Sequence, residues 1–77
     1  MTDIYSPAKN LVVAQGGPYG KINVGDYVFY VVQNCDPVAG PEAGERYTLR
    51  DGNRPQISVE CTAVATAQNP TATFKEV

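Results

Sequence analysis

Eight carboxylates, two cysteines and no histidine set the chemistry open to this 77-residue chain. The missing histidine removes the commonest general base, the Ser–His and Cys–His nucleophile pairs and most transition-metal sites. The carboxylates are Asp3, Asp26, Asp36, Glu42, Glu45, Asp51, Glu60 and Glu76. Most fall in expected turns or loops, where Asp in particular supports the backbone. A paired-carboxylate glycosidase needs a cleft that so short a chain rarely encloses. The expectation is therefore no enzyme and no cofactor.

Cys35 and Cys61 have two readings. As buried free thiols they act as small hydrophobes, which suits a chain with no export signal. As a disulfide they would close a loop of about 26 residues, worth about 3 kcal/mol. Two cysteines without histidine or a Cys-x-x-Cys pair leave a zinc site incomplete. The glycine-rich run Gly16-Gly17-Pro18-Tyr19-Gly20-Lys21 lacks the Ser/Thr and the following helix of a phosphate loop. Its Pro18 also lacks an N–H, so a structural turn is expected. Asp51-Gly52-Asn53 lacks the remaining ligands and closing Glu of a calcium loop and reads as a hairpin turn. Arg46, Arg50 and Arg54 are the basic cluster. Glu45 and Asp51 lie among them, so residues 45–54 carry only +1 (three Arg against two acids). That favours a solvated or interface face over a stacking surface for single-stranded nucleic acid.

The elements that must position these groups read as strands. Val24-Gly25-Asp26 leads into Tyr27-Val28-Phe29-Tyr30-Val31-Val32, six apolar or aromatic residues in succession. β-Branched and aromatic side chains suit a pleated surface. A run apolar on both alternating faces predicts a central strand covered on both sides. Residues 9–15 form a shorter apolar run, a first strand closed by the 16–20 turn. Residues 45–50 alternate, with Arg46, Thr48 and Arg50 on one side and Tyr47 and Leu49 on the other. Residues 57–68 have the best period of two, with Ile57, Val59, Cys61, Ala63, Ala65 and Ala67 inward. Asn69-Pro70 is an expected turn, and 71–77 can return as a last strand. No segment holds helical periodicity. The fold expected is all-β: a single domain over 1–77, a small β-barrel or β-sandwich of five to six short antiparallel strands.

Composition narrows the function classes. A net charge of −2 argues against a strongly basic nucleic-acid binder. A hydrophobic content of 43% argues against an acidic disordered tail. Apolar burial and ordering entropy come to about 110 and about 115 kcal/mol for a chain this long, so a disulfide, metal or partner would help it fold. The N-terminus lacks the basic and apolar regions of a signal peptide, and no run approaches the ~20 apolar residues of a membrane span. The expected place of synthesis is the cytoplasm, with a virion as a possible destination and no membrane.

Only 18% of residues are charged. After Glu60, Lys75 and Glu76 are the only charged side chains, and the chain stops at Val77 within an expected strand. The Thr62, Val64, Thr66 and Gln68 face is flat and uncharged, without the Lys, Pro or bulges that protect edges. This predicts a sheet edge or face meeting a protein partner, either a second copy (a homo-oligomer) or a viral capsid surface. The function expected is a non-enzymatic structural or assembly protein, in its most concrete form a small phage virion component (capsid decoration or head–tail). Candidate contacts are Asp36 and Glu42 in the long 34–44 loop, Arg46, Arg50 and Arg54, and Thr62, Thr66 and Phe74. The alternatives are an inhibitor or adaptor module using the 34–44 loop, and an OB-like single-strand binder using the arginines.

Overall fold

The computed structural model describes residues 2–16 and 19–77. Gly17 and Pro18 of the expected 16–20 turn lie outside them. Seven strands form, with no helix among the described residues: β1 (Thr2–Ser6), β2 (Leu11–Gly16), β3 (Gly20–Val24), β4 (Tyr27–Val32), β5 (Arg46–Asp51), β6 (Ile57–Ala63) and β7 (Ala72–Glu76). All pair antiparallel in one sheet, ordered β2-β1-β5-β6-β7-β4-β3. The sheet curls into a half-barrel whose two edge strands do not pair with each other.

The strand count exceeds the five to six expected because two segments carry weak apolar signals. β1 buries Thr2, Ile4 and Ser6, so two of its three inward residues are polar. Both hydroxyls are satisfied: Thr2 Oγ1 donates to Asp51 Oδ1 at 3.1 Å, and Ser6 Oγ accepts the Lys9 N–H at 3.2 Å. β3 buries nothing and is held by its ladder to β4. A two-residue turn joins them, with Gly25 at φ 61°. Glycine at the first central position is what a type II′ hairpin turn requires.

The concave face holds one core. Ile4, Val32, Tyr47, Leu49, Val59, Cys61 and Phe74 are its main buried side chains. Tyr47 meets Phe74 edge-on, with centroids 6.1 Å apart and rings at 83°, a favoured aromatic arrangement.

Three expectations need correction. The 27–32 strand is not covered on both sides. It lies next to the edge strand β3; Tyr30 and Val32 are buried, but Tyr27 is 64% exposed, and Phe29 and Val31 are only half-buried. The sheet curls on one face, so only one face of β4 has a layer against it. Next, the 57–68 strand ends at Ala63. The β6–β7 register shifts between Cys61 and Ala63. Beyond it Thr66 and Asn69 exchange backbone bonds of 2.8 and 3.1 Å around Ala67-Gln68, placing the turn there instead of at Asn69-Pro70. Ala63 and Ala67 are consequently exposed while Ala65 stays buried. Finally, the C-terminal segment is no sheet edge, because β7 is hydrogen-bonded between β6 and β4.

Candidate interaction surface

The convex face of the sheet divides by chemistry. Residues paired across an antiparallel ladder share a face, so the registers trace it from strand to strand. Over β1, β5, β6 and β7 it is polar. Arg50 grips Asp3 with two bonds, Nε–Oδ1 at 2.7 Å and a second guanidinium nitrogen to Oδ2 at 3.2 Å, and its guanidinium lies 4.7 Å from the centre of the Tyr5 ring. Asp3 favours the charged guanidinium, so the Arg50 pKa is raised. Lys75 and Glu60 make a looser pair at 3.9 Å.

Over β3 and β4 the same face is apolar. Ile22 pairs with Phe29, Val24 with Tyr27 and Gly20 with Val31. Ile22 is 49% exposed, Val24 58% and Tyr27 64%. The Tyr27 and Phe29 rings pack at 6.3 Å between centroids. β3 is exposed at all five residues, and among the described residues no strand lies beside its outer edge. Next to Tyr27, at the end of β7, is a shallow groove of about 340 Å³ lined by Asp26, Tyr27, Val28, Lys75, Glu76 and Val77. The hydroxyl of Tyr30 donates to Glu76 Oε2 at 3.4 Å near its wall. Burial, then the Glu76 charge, raises the Tyr30 pKa and keeps the hydroxyl a donor.

No protein-family model, curated protein or solved structure matches this chain.

The residues marked as contacts by sequence lie apart from the apolar patch and in differing settings. Asp36 is exposed but committed to its own loop: Oδ1 accepts the N–H groups of Val38 at 2.7 Å and Ala39 at 3.0 Å. The bond from Ala39, then that from Val38, holds its carboxyl below the usual Asp range. The loop is pinned at its start by Cys35 N–H to the Pro70 carbonyl (2.8 Å) and at its end by Gly44 N–H to the Cys61 carbonyl (2.9 Å). Its apex presents Val38, 93% exposed. Glu42 is exposed and pairs with Lys9 at 3.5 Å.

Of the three arginines, Arg50 is held by Asp3. Arg54 lies 3.4 Å from Asp51, hydrogen-bonds the Tyr19 hydroxyl and stacks at 5.1 Å over that ring. Arg46 is exposed and has no ion pair among the described residues. Thr62 and Thr66 are exposed, on the bulge and at the 66–69 turn instead of along one flat face. Phe74 is 0% exposed and belongs to the core, so it meets no partner in this fold.

Cys35 and Cys61 are both free thiols in the core, donating to the carbonyls of Val32 (3.4 Å) and Ala63 (3.5 Å). Burial raises both pKa values and disfavours the reactive thiolate. Among the described residues no three His, Cys, Asp or Glu side chains gather as a metal site, and no helix is long and apolar enough to cross a membrane.

The apolar convex patch is not among the contacts expected from sequence, because residues 20–24 carry no buried position and Val24-Gly25-Asp26 reads as the approach to the next strand. The signal was present: Lys21-Ile22-Asn23-Val24 alternates with period two and runs into a Gly-Asp turn.

Proposed function

We propose that this chain is a non-enzymatic structural or assembly protein that works through protein–protein contact. One observation carries the reading: a sheet edge exposed along its whole length, bordered by an apolar convex face of Ile22, Val24 and Tyr27. Monomeric sheets generally blunt such edges with bulges, proline or charge; β3 has neither bulge nor proline and the single charge of Lys21, and contiguous exposed apolar surface marks interaction sites. Association would remove that apolar surface from water, and the polar residues around it would form a rim. The most concrete version is a small phage virion component, a capsid decoration or head–tail protein, which repeats one contact on an assembled particle.

A tagged chain produced with its source particles tests this. It should sediment with assembled particles, and the double substitution Val24→Asp/Tyr27→Asp should release it while leaving the thermal unfolding curve in place. Recovery entirely in the particle-free supernatant removes the virion version. Particle binding unaffected by the double substitution removes this surface from the reading.

The inhibitor or adaptor alternative is favoured by one observation, the bare Val38 at the apex of a loop held by Asp36 and by bonds at both ends. It predicts a monomer whose binding is lost with Val38→Asp. The OB-like alternative draws less support, because Arg50 and Arg54 already have intramolecular partners. Oligonucleotide affinity that falls steeply with salt would restore it.

A further inference from the structure

We propose that β3 pairs edge to edge and antiparallel with β3 of a second copy, joining two half-barrels into one continuous sheet. This rests on the assembly reading above and commits it to a first partner. The two edges of the sheet differ. β2 carries an irregularity in its pairing with β1, opposite Ile4/Tyr5, and its Gly16 lies so close to β4's end that a Cβ would fall 2.0 Å from the Gln33 carbonyl oxygen. Bulging and burial of this kind protect an edge. β3 has no bulge and no proline, and its one charge is Lys21.

The hairpin decides which backbone groups of β3 are free. Val24 and Tyr27 flank a two-residue turn, so they exchange both N–H···O=C bonds. The ladder runs without a register shift, so Ile22 with Phe29 and Gly20 with Val31 do the same. The N–H and C=O groups of Lys21 and Asn23 therefore point away from β4, to the open edge.

Those groups can meet a second β3 in three antiparallel registers. Centred on Lys21, two ammonium groups lie opposite each other. Centred on Asn23, Lys21 is set against Gly25 and pairing runs into the turn. Centred on Ile22, all five residues pair. Lys21 exchanges hydrogen bonds with Asn23 of the other copy, and Asn23 with its Lys21. The two Ile22 side chains face each other at the closer, non-hydrogen-bonded spacing. Val24 then stands opposite Gly20, where no side chain obstructs it. This register alone pairs the whole strand without like charges in apposition, and the apolar convex patches of both copies become continuous. An edge about 17 Å long buries less than the ~800 Å² per partner of a standard interface. The pairing is therefore concentration-dependent.

Sedimentation equilibrium over roughly 10 μM to 1 mM, the range where weak dimers titrate, tests it with the intact chain and three variants at Asn23. Wild type should dimerise. Asn23→Lys places like charges opposite each other twice and should weaken the dimer by about tenfold. Asn23→Asp places a carboxylate opposite Lys21 twice and should tighten it at low salt, with the gain shrinking as salt rises. Asn23→Pro removes an N–H that β4 does not use and should abolish dimerisation. Unchanged thermal unfolding in the Lys and Asp variants confirms that the fold is intact. Amide exchange in the dimer should newly protect Lys21 and Asn23.

A monomer at every concentration overturns the proposal. So does a dimer indifferent to residue 23, or one that Asn23→Asp weakens, which indicates the Asn23-centred register. A dimer that does not bind particles upholds the edge pairing and sinks the virion version of the function. Particle binding by a strict monomer does the reverse.

Discussion

Replacing Phe74 by alanine separates the two roles that the C-terminal strand has been given. As a contact residue, Phe74 would be dispensable for folding. In the structure it is fully buried, aligned with Tyr30 on β4 and Cys61 on β6, and packed edge-on against Tyr47. Truncating a buried Phe costs about 3–5 kcal/mol, through lost transfer energy and the cavity left behind. A domain of this length has a total stability of about 4–12 kcal/mol, at ~0.05–0.15 kcal/mol per residue. The substitution should thus remove about a quarter of the stability at least, and all of it at the lower end of that range. The assay is urea unfolding followed by far-ultraviolet circular dichroism. With a slope of about 1 kcal/mol per M for so small a protein, the midpoint should fall by about 3–5 M, or the variant should be unfolded in water. Phe74→Leu keeps the fold measurable with a loss of about 1–2 kcal/mol, since most of the cavity stays filled. Tyr27→Ala, on the bare face of the neighbouring β4, should change stability by no more than about 0.5 kcal/mol. A loss below about 1 kcal/mol for Phe74→Ala, or equal losses at positions 74 and 27, would refute the assignment of inward and outward faces.

Three further outcomes follow from particular contacts. Gly16→Ala drives a Cβ to 2.0 Å from the Gln33 carbonyl oxygen, forcing a backbone shift that should cost about 1–3 kcal/mol in urea unfolding; a neutral or stabilised variant would show that β2 does not press on the end of β4. Cys35 and Cys61 should resist an alkylating reagent at pH 8 in the native protein and react in denaturant, and melting should ignore reductant; alkylation at the unfolded rate, or a reductant-dependent melt, would contradict two buried free thiols. Asp36 has a folded-state pKa lowered by the Ala39 and Val38 amides, so its support of the loop is whole above the ordinary Asp value of about 3.9 and is lost as pH falls through the lower folded value. The Val38 and Ala39 amide resonances should titrate with a midpoint below about 3.9, and a midpoint at or above it would rule out these bonds in solution.

The concave half of the fold was legible because it obeys the simplest rule. Tyr47 and Leu49 alternate with Arg46, Thr48 and Arg50, and Val59 and Cys61 alternate with Ser58, Glu60 and Thr62, so the core faces of β5 and β6 follow from period two alone. Where the pattern continued without a physical basis, it misled. The alanines at 63, 65 and 67 continue the inward spacing of β6, but an alanine buries too little to hold a strand in register. A bulge and the reciprocal Thr66–Asn69 bonds decide that segment instead. β1 was illegible for the opposite reason. Its inward Thr2 and Ser6 read as surface residues, and only the Asp51 carboxylate and the Lys9 amide, both set by the completed fold, make their burial affordable.

The run at 27–32 is core on one face and surface on the other. Six apolar residues in succession imply two covered faces, and the half-barrel covers one. Tyr30 and Val32 satisfy the inner requirement, leaving Tyr27, Phe29 and Val31 as outward apolar side chains with no packing role in the core. A strand whose only task was to close this sheet could carry threonine or lysine at those positions, as β5 and β7 do on the same face with Thr48, Arg50, Thr73 and Lys75. Its hairpin partner β3 repeats the pattern with Ile22 and Val24 and contributes no core residue at all. Packing of the core therefore explains one side of this hairpin, and the other side, with its open edge, is the surface on which the proposed pairing of two copies rests.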